Sequence, residues 1–87
     1  MLKKYRNKID KLDKKLVKIL SQRMQIVELI ASFKKEAGLP ILQKEREEEH
    51  LHNILTKCNE SKSCKSYIHN IFEKIFEESR KLQNPLK

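Results

Sequence analysis

An all-α fold of three helices, one long and two shorter, follows from three observations on this chain. The 87 residues include one glycine and two prolines, so little turn chemistry interrupts a vocabulary of Leu, Ile, Lys, Glu and Gln that favours helix. Apolar residues recur at helical spacing and nowhere alternate with the two-residue period of a strand. The polar or breaking segments fall at Ala37-Gly38-Leu39-Pro40 and at Cys58-Asn59-Glu60-Ser61-Lys62, which divides the chain into three. One domain spanning residues 1–87 is expected, too small for a large private core.

The first helix is expected over residues 3–35, a stretch without a breaker. Every seventh residue from Ile9 gives Ile9, Leu16, Arg23 and Ile30, and the companion column is Leu12, Ile19, Ile26 and Phe33. Together they form the a/d seam of an amphipathic helix. Arg23 is the misfit, because an uncompensated guanidinium there would cost several kcal/mol and must meet an anion or water. Lys34 lies about three helical turns further on and points almost the same way. Gly38 suits the position just past the helix end, and Pro40 cannot continue it.

A second helix is expected over residues 42–57, with Glu45, Glu47, Glu48 and Glu49 crowding its positive N-terminal end. Its apolar column of Leu51, Ile54 and Cys58 extends backwards to Glu47, with Arg46 on the flank. The third helix is expected over residues 64–83, capped by Ser63 and closed by Asn84-Pro85. Its stripe of Ile68, Phe72, Ile75 and Phe76 continues into Ser79 and Gln83, four residues apart on one face. Each helix therefore carries polar groups on its inward column, and two cations aimed inward from the first suggest a pocket for an anion. Bland readings exist for each group: Arg23 bridging to Glu47, Glu47 serving the helix dipole, Ser79 and Gln83 exposed near a terminus.

The helix lengths carry their own argument. The first would be roughly 50 Å long, and the others about 25 and 30 Å. Two short helices cannot cover the whole stripe of the long one, so part of it must be buried against another chain. A homodimer is the economical solution.

The net charge of +8 favours anionic partners. It is dispersed, however, in the pairs Lys3-Lys4, Lys14-Lys15 and Lys34-Lys35 among Asp10, Asp13 and Glu28, which reads as a solvated lysine-rich face. No run approaches the ~18 apolar residues of a membrane span, and no apolar leader opens the chain, so a cytoplasmic protein is expected. Cys58 and Cys64 are then expected as free thiols. His50, His52 and His69 lack metal-ligand spacing with them. No Ser-His-Asp or Cys-His set and no Gly-rich phosphate loop is present. An enzyme built this way works by positioning and electrostatics, without metal or cofactor.

These residues resemble the small all-helical chorismate mutases over nearly the whole chain. The resemblance is carried by Arg6 within YRNKIDKLDKKLVKIL, Arg23 within LSQRM, Lys34 within ASFKKEAGLPI, Arg46-Glu47 within KEREEE, and Ser79 and Gln83 within FEESRKLQ. It implies an interlaced homodimer that rearranges chorismate to prephenate, each site borrowing one arginine from the partner. Arg23 and the partner's Arg6 would hold the two carboxylates. Lys34 and Gln83 would donate to the ether oxygen, Glu47 would accept from the ring hydroxyl, Ser79 would assist at a carboxylate, and Arg46 would brace the site. Gln43 stands where the family often has aspartate, which implies tuning of the hydroxyl contact. Two alternatives stay open: a lyase of the same fold that eliminates pyruvate from isochorismate, and a non-catalytic basic helical module for nucleic acid or a partner helix.

Overall fold

The computed structural model describes residues 1–58 and 62–84. Three helices account for nearly all of them: α1 (Leu2–Ala37), α2 (Lys44–Leu55) and α3 (Lys62–Gln83), with no strand among the described residues. The length of α1 dominates the shape, 54 × 26 × 19 Å. Packing is centred on α3, which lies against both α1 and α2, whereas α1 and α2 make no close backbone approach to each other.

The end of α1 follows from its glycine. Gly38 adopts φ 69°, ψ 26°, the left-handed conformation that a side chain disfavours. Its N–H bonds the Lys35 carbonyl at 3.4 Å, and the Leu39 N–H reaches back to Lys34 at 2.8 Å. Together these satisfy carbonyls that the helix end leaves without partners. Lys34 and Lys35, in the last turn, sit at the negative end of the helix dipole.

The shorter helices depart from their expected bounds for identifiable reasons. Gln43 takes a non-helical φ of −122° and ψ of 82°, and its carbonyl accepts the first bond, from Glu47 N–H at 3.0 Å, so α2 opens at Lys44. At the other end, Lys57 and Cys58 bond the carbonyls of Ile54 and Leu55, a tightened turn that closes α2 at Leu55. The third helix starts at Lys62, so Ser63 lies inside its first turn rather than capping it. Most of the expected polar connection, residues 59–61, lies outside the described residues, as does Pro85.

Among the described residues the buried apolar side chains are few, Val27 on α1 and Phe76 on α3. Phe72, Phe76 and His50 stack at centroid distances of 6.0–6.5 Å and fasten α2 to α3. The face of α1 that meets α3 therefore runs through Arg23, Val27 and Lys34, sharing Arg23 with the expected seam but otherwise lying beside it. Within this chain the seam stays open: Leu16 is 51% exposed, Ile19 59% and Phe33 64%.

Candidate functional site

Arg23, Val27, Ile30 and Lys34 lie about one helical turn apart on α1 and form one wall of a pocket of about 320 Å³. The connection after α1 adds Ile41 and Gln43, α2 adds Arg46, Glu47 and His50, and α3 adds Phe76, Ser79 and Gln83. The polar residues singled out in all three sequence segments thus converge on one cavity. Arg6 does not join them. It is exposed near the start of α1, seventeen residues before Arg23 and roughly 25 Å away by the helical rise.

Hydrogen bonds fix these groups. Arg23 donates from Nη1 to Ser79 Oγ at 2.7 Å, and the Ser79 hydroxyl donates in turn to the Ile75 carbonyl at 2.8 Å. Lys34 Nζ donates to the Ile41 carbonyl and to Gln83 Oε1, each at 2.8 Å, tying the end of α1 to the last turn of α3. Gln83 Nε2 donates to the Ser79 carbonyl at 3.3 Å, which leaves its second amide hydrogen for another acceptor. Glu47 is gripped by Arg80, whose Nη1 lies 2.6 and 2.7 Å from the two carboxylate oxygens. The bridge from Arg23 to Glu47 is not formed; Arg80 takes that place.

The electrostatics are those of an anion receptor. Burial, and then the nearby Arg46 cation, lower the Arg23 pKa from its ordinary value. Burial also lowers Lys34, partly opposed by Glu47. His50 is pushed down by burial and by the charges of Arg46 and Arg23, so protonating it beside those cations is disfavoured. Repulsion among fixed cations is relieved by a bound anion, and guanidinium groups suit carboxylates in particular.

Over residues 5–84 the chain matches the type II chorismate mutase family. It belongs to that family. The chorismate mutase of Methanocaldococcus jannaschii is 30% identical over 94% of this chain and 83% of its own length. The bifunctional chorismate mutase/prephenate dehydratase of Buchnera aphidicola is 34% identical over the same share of this chain, which spans 21% of that larger protein. As a chorismate mutase, this protein is an isomerase with chorismate as substrate, and the resemblance seen in its sequence motifs is correct. Among the described residues no group of His, Cys, Asp and Glu is placed to hold a metal ion, and no helix is long and apolar enough to cross a membrane.

Two residues of the site escaped the sequence reading: His50, which lines the pocket, and Arg80, which holds the lining residue Glu47. Signals for both were present. Arg80 lies four residues beyond Phe76 on α3, and His50 lies four beyond Arg46 and three beyond Glu47 on α2, so both extend columns already traced. The Ile41 carbonyl, which accepts from Lys34, leaves no trace in side-chain pattern.

Proposed function

We propose that this pocket catalyses the rearrangement of chorismate to prephenate with Arg23, Lys34 and Gln83 as its principal catalytic groups. The observation that carries the reading is the convergence of Arg23 and Lys34 from one helix face with Ser79 and Gln83 from another. The reaction is unimolecular: one carbon–oxygen bond breaks as one carbon–carbon bond forms, with no proton transfer and no covalent intermediate. What the protein must supply is shape and charge. Arg23 and the partner's Arg6 grip the two carboxylates and fold the enolpyruvyl arm over the ring. Lys34 and the free amide hydrogen of Gln83 donate to the ether oxygen as negative charge gathers there, favouring the transition state over the bound substrate.

The remaining groups position the ring. Glu47 accepts from the ring hydroxyl, Ser79 steadies a carboxylate through its bond to Arg23, and Arg46 braces the site from α2. Gln43, at the mouth between α1 and α2, shares the hydroxyl contact through its backbone or amide. The active unit is a homodimer in which the open seam of α1 is covered by a second copy and Arg6 enters the partner's site. A cytoplasmic place in phenylalanine and tyrosine biosynthesis belongs to the same reading. The test is direct: chorismate absorbance should decay with appearance of acid-labile prephenate. Pyruvate release from isochorismate without prephenate formation would overturn the assignment in favour of a lyase.

A further inference from the structure

We infer that Arg80 is a positioning residue for the rearrangement, holding Glu47 where it meets the substrate's ring hydroxyl and away from the pocket's cations. The inference rests on the function proposed above. Glu47 lines the pocket, whereas Arg80 does not and stands behind it on α3. The contact is short to both carboxylate oxygens, 2.6 and 2.7 Å, and both side chains are about one-third exposed or less. It also joins two different helices. The other ion pairs among the described residues link positions three or four apart on a single helix.

A carboxylate in a receptor for a dianion is a liability. Glu47 shares the pocket with Arg46 and Lys34, the groups that should receive substrate charge, and its charge is already felt at Lys34. Between turnovers an untethered Glu47 would turn toward these cations and occupy them as an internal competitor. A guanidinium fixed behind it offers a better partner, and carboxylate lone pairs remain for a hydroxyl donor. Arg80 also offsets the Glu47 charge, leaving Arg23, Lys34 and Arg46 as the net field seen by the substrate. As a partly exposed pair it contributes little to stability, so its chief effect is on where Glu47 points.

The test is a double-mutant cycle on the full chain with chorismate as substrate. Arg80→Ala should raise KM by about tenfold or more, and kcat should fall as well, with the helical circular dichroism and Tm close to the parent's. In a Glu47→Ala background the same Arg80→Ala change should cost less than about twofold, because the group it positions is gone. Arg80→Lys should retain part of the activity, and Arg80→Gln should resemble Arg80→Ala. If Arg80→Ala does not fold, Lys and Gln carry the same comparison. Equal losses in the two backgrounds would overturn the inference, since Arg80 would then act on the substrate or the fold directly. A parent protein that leaves chorismate unchanged overturns the functional reading and this inference with it, whereas an active parent with additive mutants sinks this inference alone.

Discussion

Arg23 reaches Ser79 and lies near Arg46, but no carboxylate among the described residues pairs with it. On the proposed function its counterion is a substrate carboxylate. Arg23→Ala should therefore keep the fold, with Tm little changed or raised, while turnover falls by roughly two to four powers of ten, the equivalent of about 3–5 kcal/mol. Measuring Tm and rate on one preparation decides the matter, because a structural role would lower stability and spare catalysis. Gln83 offers a test by charge. Its amide donates at any pH, whereas a carboxyl donates only when protonated. Gln83→Glu should therefore be active in acid and lose activity as pH rises through the new group's pKa, which burial raises and Lys34 lowers. A parent profile that is flat between about pH 5 and 8, matched by an equally flat mutant, would remove the ether-oxygen role from Gln83.

The helices differ in how much of each was legible. The long apolar periodicity and the Gly38–Pro40 break announced α1 and its end, because both depend on local backbone chemistry. Which stripe would be buried was not legible: Val27 is covered while the apolar members of the Ile9–Phe33 seam stand open, since one helix's periodicity does not say which neighbour takes which face. The polar columns Arg23–Lys34 and Ser79–Gln83 meet at one cavity, and both were legible, as a polar group in an apolar stripe needs only the helical repeat to be noticed. Arg80 was passed over for the opposite reason, its pairing with Glu47 spanning two elements. Gly38 gives the sharpest test at this scale. No atom lies within 4 Å of where its Cβ would stand, and its φ is +69°. Gly38→Ala should thus cost about 1–2 kcal/mol through backbone strain alone. Gly38→Asn should cost less, since asparagine tolerates that conformation. Denaturant midpoints of the three proteins check the order, and an alanine variant as stable as the parent would contradict it.

At the scale of the molecule two facts need one explanation. Apolar residues along α1 stand in the open, and beside the site a groove of about 530 Å³ is walled by Leu20, Met24, Ile71, Ile75 and Leu82. Arg6 meanwhile sits roughly 25 Å along α1 from Arg23, a distance that a single substituted ring cannot bridge. The proposed second copy laid along α1 would answer both, covering the apolar face and delivering its own Arg6 to this chain's pocket. On the proposed dimer, Lys34→Ala removes a group that each site takes from its own chain, and Arg6→Ala one that it takes from the partner. Each variant homodimer should be nearly inactive. Unfolding and refolding an equal mixture forms mixed dimers in which one site has both residues and the other has neither. With random pairing half the dimers are mixed and half their sites work, so about a quarter of the parental activity should return. Size measurements must confirm that chains have exchanged. A remixed sample that has exchanged and stays as inactive as either variant would show that Arg6 does not act across an interface.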